Sequence, residues 1–401
     1  MSELVVSSPG RSTQGRWGRV SSRLREIRAL RPPLRSPRAY GNWLRANVEL
    51  ISRAGVIRAR PLKLTFDPTN YCQLKCPLCP TGARIQDRGQ GRAQRHLFEH
   101  LMEELGDYLF IIDFFNWGEP LLNDQVEDFI GMAHARGIVT FMSSNLSLPL
   151  SDARLERLAR SGLNELIVSL DGASAETYGQ YRRVGRFDLV VENIRRLVGI
   201  KRALGLSTPR INWQFLVFRF NEHERERAEV LARDLGVDSL TFRAPYLDEG
   251  RVPLAESDRA LVREWAPLAE EFNRYQATGS EPPVPDRPRC GWHYMSTAVN
   301  WDGSVAPCCT LFESRDDFGS LSTPDGASYM QVVNNDRFVA VRERFAGRQP
   351  VDSGLVCEKC PTPSLMGYHR HLNKQVLLYL LAGSLNAMAG HAPAAADRQE
   401  W

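Results

Sequence analysis

Three of the chain's eight cysteines stand together: in TNYCQLKCPLCPTG, Cys72, Cys76 and Cys79 follow the spacing C-x3-C-x2-C. Thiolates are soft ligands, and three of them on one eight-residue loop can each bind one iron of a 4Fe–4S cube. The fourth iron then has no protein ligand, and an open coordination position is what a catalytic metal needs. Structural zinc would require a fourth ligand, and none stands nearby in the sequence. Cys290, Cys308, Cys357 and Cys360 form a second group. C-x12-G-x4-C runs from Cys290 through Gly303 to Cys308, and CEKC closes the set. Four thiolates make a closed site, either an electron-carrying cluster or a zinc ribbon. Cys309 is left over and reads as a small buried hydrophobe, with a hydrogen-atom donor as the sharper alternative.

The early loop resembles that of the radical S-adenosylmethionine (SAM) superfamily, and further matches extend to about residue 245. NWGEP (Asn116–Pro120) is similar to the family's GGEP turn, which binds the methionyl amino group of SAM. Trp117 replaces the usual first glycine, while Gly118, Glu119 and Pro120 are kept. SSN (Ser143–Asn145) and SLDG (Ser169–Gly172) stand at the next two strand ends. The resemblance implies that Ser169 approaches the ribose and carboxylate of SAM. It also implies Arg182 or Arg183 at the SAM carboxylate, from ETYGQYRRVGRFDLVVENIRRL, and Gln214 at the ribose. Leu78 stands where the family prefers an aromatic beside the cluster, and Tyr71 is expected to supply that contact. The late cysteines resemble the SPASM auxiliary-cluster domain. AVNWDGSVAPCC matches its β-hairpin, with Asp302–Gly303 as turn residues. Met366 and Arg370 occupy positions where the full pattern continues with cysteines, so the match is to the shortened, one-cluster form called twitch.

The resemblance implies two 4Fe–4S clusters, one binding SAM and one auxiliary, with an electron donor such as flavodoxin or ferredoxin. It further implies reductive cleavage of SAM to methionine and a 5′-deoxyadenosyl radical, which abstracts a substrate hydrogen. The leading expectation is oxidation or other modification of a small molecule, a sugar or natural product. The alternative is maturation of a ribosomally made peptide. A non-catalytic scaffold does not suit a chain that keeps both the open cysteine triplet and the NWGEP turn.

Such loops need a scaffold that brings them to one place. Apolar runs at Leu62–Asp67, Phe110–Asn116, Ile138–Met142, Leu166–Leu170, Ile211–Val217 and Ser239–Phe242 alternate with helical patterns at His96–Leu105, Gln125–Arg136, Asp152–Ser161, Leu189–Leu204 and Glu222–Leu235. Six strand-then-helix repeats predict an α/β fold with a parallel sheet, either doubly wound or a partial barrel. The resemblance selects a partial (β/α)6 TIM-like barrel with a small C-terminal SPASM/twitch iron–sulfur domain. The expected division is a basic, partly disordered extension (1–60), the core (61–250), a helical linker (251–288), the auxiliary domain (289–372) and a C-terminal helix and tail (373–401). Amphipathic helices are predicted at Trp43–Ile57, Ser257–Tyr275 and Asn373–Met388, and little helix between 289 and 370.

Composition narrows the function classes. The 401 residues are 43% hydrophobic and 24% charged, ordinary for a globular protein. Residues 1–60 hold 13 Arg and no Lys against three Glu, a net +10, so the rest of this +4 chain carries −6. A mildly acidic body argues against nucleic acid as substrate. No apolar run is long enough to span a bilayer and no secretory signal is evident, so a cytoplasmic location is expected. The helices at the two ends of the chain are expected to cover the open edge of the sheet, with a membrane surface as the less favoured partner.

Overall fold

The computed structural model describes residues 5–7, 24, 26–247, 256–273, 290–322, 327–348, 354–359 and 368–388. Cys360, Met366 and the EPPVPDRPR linker lie outside these.

The strands are β1 (Val5–Ser7), β2 (Lys63–Phe66), β3 (Ile111–Asp113), β4 (Val139–Ser144), β5 (Glu165–Ser169), β6 (Arg210–Leu216), β7 (Ser239–Arg243), β8 (Ser296–Val299), β9 (Ser304–Ala306) and β10 (Gly319–Ser320). They form one sheet in the order β1-β7-β6-β5-β4-β3-β2-β8-β9-β10. From β2 to β7 each strand pairs in parallel with the next. The intervening helices include α1 (Pro37–Ser52), which precedes β2, then α2 (Pro80–Ala83), α3 (Arg95–Leu105), α4 (Val126–Ala135), α5 (Asp152–Arg160), α6 (Ala175–Tyr181), α7 (Phe187–Ala203) and α8 (Arg225–Leu235). This is the open (β/α)6 arrangement, since β2 and β7 do not pair with each other.

Partners in a parallel ladder point to the same face, so the register sorts the side chains. Thr65 pairs with Asp113, Asp113 with Phe141, Phe141 with Glu165, Glu165 with Arg210, and Gln214 with Thr241. One face thus carries Lys63, Asp113, Glu165, Asn212, Gln214 and Thr241, with Phe141 and Ile167 among them. The opposite face carries Leu64, Phe66, Ile112, Leu166, Trp213 and Phe215, all fully buried. Phe66 meets Phe98 of α3 at 5.0 Å and Phe129 of α4 at 5.8 Å between ring centroids, which identifies that apolar face as the one under the helices. The opposite face, which holds the polar side chains, is the inner wall.

Both sheet edges are taken by strands, not by the terminal helices as expected. β1 pairs with β7, and β8 pairs in parallel with β2. Helix α1 begins earlier than the apolar periodicity suggested. Ser36 caps it by accepting from Ala39 N, Pro37 occupies its first turn, and Arg53 at φ 54° ends it. The predicted Ser257–Tyr275 helix stops at Trp265 as α9 (Glu256–Trp265), two residues before Pro267.

Between 289 and 370 the chain holds α10 (Trp292–Met295), α11 (Tyr329–Val333) and α12 (Asp336–Phe345), where little helix was expected. These helices are short and depend on local caps that hydrophobic periodicity does not reveal. Ser328 and Gln331 form a capping box, and Asn335 accepts from Phe338 N. The last helix, α13 (Tyr368–Met388), starts five residues before its predicted boundary.

The C-terminal lobe is joined to the barrel by more than strand pairing. Arg88, beyond the cysteine loop, donates to Asp302 (3.0 Å), Ser304 (2.6 Å) and Asp317 (2.5 Å) around the β8–β9 hairpin. Its side chain is 6% exposed. Arg88→Ala would leave two carboxylates facing each other without their cation. It should cost about 2–3 kcal/mol, read as earlier urea unfolding together with faster hydrogen exchange across residues 300–320.

Candidate iron–sulfur and SAM centre

The cysteine loop leaves the C-terminal end of β2, where parallel α/β folds place their chemistry. It is braced from both sides. Thr69 Oγ1 donates to Gly91 O (2.6 Å), Asn70 exchanges bonds with Gly89 O and Gly91 N, and Lys75 N donates to Arg183 O. Cys76 is buried among Leu74, Tyr181, Phe218 and Trp265, with Cys72 and Cys79 half-buried beside it. The aromatic surroundings predicted from Tyr71 thus come from Tyr181, Phe218 and Trp265, and Tyr71 itself is exposed.

Burial pushes the Cys72 thiol up to about 12, assisted by Glu119, and the Cys76 thiol up to about 11 against the opposing pull of Arg182. Such thiols stay neutral in this apolar setting unless a strong positive charge replaces their protons, as iron does. Among the described residues no three His, Cys, Asp or Glu side chains gather tightly enough for a single metal ion. A cube instead takes each thiolate on a separate iron. Three thiols on one braced loop, with no fourth ligand supplied, fit such a cluster.

The NWGEP turn lies against this loop. A Cβ at Gly118 would sit 1.8 Å from Thr69 O, so only glycine permits the approach. Glu119 N donates to Tyr71 O (2.9 Å). The Glu119 carboxylate accepts from Ser144 Oγ (2.7 Å), Leu121 N (3.1 Å) and Asn145 N (2.8 Å), and Pro120 opens a single 3-10 turn behind it. Asn145 then reaches the cysteine loop. Its Nδ2 lies 3.8 Å from Cys72 Sγ, and its Oδ1 accepts from Gln73 Nε2 (2.8 Å).

Arg182 ion-pairs with the fully buried Asp171 (2.6 Å), and its Nη1 lies 4.0 Å from Cys76 Sγ. Asp171 is held in turn by Leu216 N (2.7 Å). Ser169 shares a 3.2 Å contact with Ser143, and Gln214 stands beside it on the inner wall. Asp171 and Asn145 were legible only as letters of SLDG and SSN. Their link to the cysteines follows from the strand register.

The second group is partly in view. Cys308 follows β9, and its sulfur lies 2.9 Å from Thr310 Oγ1. Cys290 lies just before α10, and Cys357 Sγ lies 3.7 Å from Nε2 of His293 on that helix. Cys357 is thus brought beside the helix that Cys290 introduces, and Cys360 lies outside the described residues. Burial lowers His293 to about 3, so its ring is neutral and suited to hydrogen bonding a thiolate. Sequence reasoning passed over His293; its place three residues after Cys290 was the available signal. Burial also raises the Cys309 thiol, in keeping with an inert small hydrophobe. In the amide orientation its neighbours require, Asn116 donates to Cys309 O (3.0 Å). Trp117 Nε1 donates to Leu311 O (3.2 Å), and its ring packs edge-on against Phe312.

Comparison with known proteins agrees with this geometry. The sequence model of the radical SAM superfamily matches residues 66–232, and that of the SPASM iron–sulfur cluster-binding domain matches 290–361. An AdoMet-dependent heme synthase of Methanosarcina barkeri is 28% identical over 240 residues, 59% of this chain and 63% of that protein. Mycofactocin maturase MftC of Mycobacterium tuberculosis is 26% identical over 137 residues, 34% of each chain. The chain thus spans less than two thirds of the length of either relative. The crystal structure of Streptococcus suis SuiB bound to S-adenosylmethionine superposes with a TM-score of 0.52 at 15% identity, covering 86% of this chain and 81% of that one. The chain belongs to the radical SAM superfamily and carries a C-terminal SPASM domain. Membership brings SAM and two 4Fe–4S clusters as its cofactors.

Two measurements test the site. Reconstituted protein should hold about eight irons, and the Cys72→Ala/Cys76→Ala/Cys79→Ala variant about four; zinc in place of the second set of irons would refute the auxiliary cluster. The other concerns Asp67, which is 1% exposed. Its Oδ1 accepts from Trp117 N (3.3 Å), and its Oδ2 finds no partner among the described residues. Burial raises this carboxyl to about 8, against the opposing Trp117 and Gly118 N–H groups. A raised folded-state value means that the folded protein binds the extra proton, so stability falls as pH rises from about 4 to about 8. Asp67→Asn should flatten that slope, with a higher urea midpoint than wild type at pH 8 and little difference at pH 4.

Proposed function

We propose that this enzyme oxidises or otherwise modifies a small, hydroxylated molecule, a sugar or natural product, held against the inner wall of the barrel. The wall's chemistry carries this reading. Thr241 Oγ1 donates to Asn212 Oδ1 (3.0 Å) and Asn212 Nδ2 to Glu165 Oε1 (3.2 Å), with the Lys63–Asp113 pair (2.5 Å) on the neighbouring strands. Glu165, Asn212 and Lys63 are only half-buried, and Ser169 and Gln214 add a hydroxyl and an amide to the same face. A polar surface of this kind suits hydroxyl groups and penalises an apolar ligand that would leave it unpaired.

Cys72, Cys76 and Cys79 would hold the SAM-binding cluster, and Cys290, Cys308, Cys357 and Cys360 the auxiliary one. Together with SAM these groups supply one-electron chemistry: a hydrogen-abstracting radical and an acceptor for the substrate's electron. The protein's own part is orientation. Gly118, Glu119 and Pro120 would present backbone to the amino group of SAM. Arg182, already fixed by Asp171, would meet its carboxylate, and Ser169 and Gln214 would border the ribose.

The second reading is maturation of a ribosomal peptide. It draws on the similarity to MftC, a maturase by name, and on the fold shared with SuiB, which has been crystallised with its precursor peptide SuiA. An extract-fed assay separates the two. Reduced enzyme should form 5′-deoxyadenosine slowly from SAM alone. The rate should rise with a low-molecular-weight metabolite fraction whether or not that fraction is protease-treated; stimulation that protease abolishes would favour the peptide. The triple cysteine variant should make none, and Cys357→Ala should retain some. Unchanged cleavage in the triple variant would refute the assignment of the site.

A further inference from the structure

The helices at the two ends of the chain pack on the barrel, yet each keeps an apolar face in solvent. α1 buries Ala39, Asn42 and Ala46. On its outer side Leu44, Val48 and Ile51 are 58%, 63% and 80% exposed, at the i, i+4, i+7 spacing that stacks side chains on one face. Val56, just past the helix, is exposed too. α13 buries Leu372, Val376 and Tyr379 and exposes Leu377, Leu381 and Met388. The two helices are fastened side by side. Trp43 Nε1 and Asn47 Nδ2 both donate to Asn373 Oδ1 (2.7 and 3.2 Å), and Asn373 Nδ2 donates back to Asn47 (2.6 Å). Leu44 and Val48, the neighbours of Trp43 and Asn47, therefore border that junction. Apolar side chains grouped on a surface in this way mark an interaction site.

Charge indicates what the surface meets. Arg38, Arg45 and Arg58 are exposed around the α1 stripe, and Arg370 and Lys374 are exposed on α13. α13 contains no Asp or Glu. The one acid of α1, Glu49, is occupied with the backbone N–H groups of Arg58 and Ala59. Arg38 is paired with the exposed Asp107 (2.8 Å), whereas Arg45, Arg58, Arg370 and Lys374 lie beside apolar stripes whose own helices carry no acid but Glu49.

We propose that α1 and α13 form a docking surface for a bilayer containing acidic phospholipid, with α1 lying in the interface. Apolar side chains would enter the headgroup boundary while arginines engage lipid phosphates and carboxylates. No described helix is long and apolar enough to cross a membrane, so the contact is peripheral. The surface lies at the end of the barrel opposite Cys72, Cys76 and Cys79. Asn42 bonds Arg60 through both its N–H and C=O (2.9 Å each) just before β2, and Arg35 bonds Gly106 O in the turn before β3. A docked molecule therefore keeps the loop of Cys72, Cys76 and Cys79 turned away from the lipid. This inference is independent of which substrate the barrel accepts.

The test is flotation of the full-length, cluster-loaded protein. Vesicles are phosphatidylcholine alone, or with roughly 30% phosphatidylserine, in about 0.05 M and 0.5 M NaCl. The protein should float with the anionic vesicles at low salt and bind roughly tenfold less at high salt or on neutral vesicles. Leu44→Glu/Val48→Glu/Ile51→Glu should lose binding by about tenfold or more, with melting temperature and iron absorbance unchanged. Arg45→Glu/Arg58→Glu alters no buried side chain, so it keeps the test open if the first variant is unstable; its binding should fall about tenfold and lose most of its salt dependence. Wild-type protein that stays at the bottom with anionic vesicles at low salt, or stable variants that float as well as wild type, would overturn the proposal.

Discussion

The close approach of two strand-end loops governs this structure. Thr69 O stands 1.8 Å from where a side chain at position 118 would begin, so the NWGEP turn reaches the cysteine loop only as bare backbone. Once there, Glu119 N is committed to Tyr71 O, which directs the Glu119 carboxylate onto Ser144 and Asn145 at the end of β4. Asn145 returns the connection to Cys72, and Asp171 after β5 sends Arg182 to Cys76. Four strand ends are thus tied together by buried polar contacts. Each is worth only about 1 kcal/mol net, but each member left unpaired would cost more than that. The network therefore behaves as a unit, which is what holding a cluster and its SAM in one register requires.

The auxiliary lobe is built onto the same network. Trp117 stands where the family usually has glycine, and its surroundings account for the departure. Its backbone N–H bonds Asp67, its carbonyl accepts from Thr81 of the cysteine loop, and its indole reaches Leu311 and Phe312 just after Cys308. A residue without a side chain could serve the first two contacts but not the third. The extra bulk has a partner because the β8–β9 hairpin continues the barrel sheet beside β2. Gly303 at φ +82° lets that hairpin turn back so that Asp302 can face Arg88.

How much of this was legible depends on whether the signal was local. The cysteine spacings, NWGEP and the six apolar runs are short-range patterns, and each strand lies within a few residues of its expected place. The inner wall was not legible: that Lys63, Asp113, Glu165, Asn212 and Thr241 share one face follows from register, which no single strand carries. Tyr71 was a reasonable stand-in for an aromatic beside the cluster because it adjoins Cys72. The wall is instead assembled from Tyr181, Phe218 and Trp265, more than a hundred residues away. α11 and α12 were missed because caps, not apolar period, define them. His293 was missed because a histidine acquires meaning only from what folds against it.

The inner wall also bears on how the barrel separates its two ends. An open (β/α)6 sheet leaves its inner face available, and buried polar side chains there must be paired or reached by a ligand. Near the start of β2 they are paired: Lys63 is bound to Asp113 and lies 5.7 Å from the ring of Tyr368, and Gln375 Nε2 donates to Tyr379 OH on the same helix. α13 thus supplies aromatic side chains to the floor that the open sheet lacks. Toward the strand ends that carry the cysteines the wall includes hydroxyls and amides, Ser143, Ser169, Gln214 and Thr241, with Arg243 next on the same face and the Arg182–Asp171 pair just beyond β5. Ion pairs therefore stand at both ends of the interior, with hydroxyl and amide groups between them. The two ends differ in what each pair is fixed to: Lys63 of the lower pair lies against the ring of Tyr368, whereas Arg182 of the upper pair reaches Cys76.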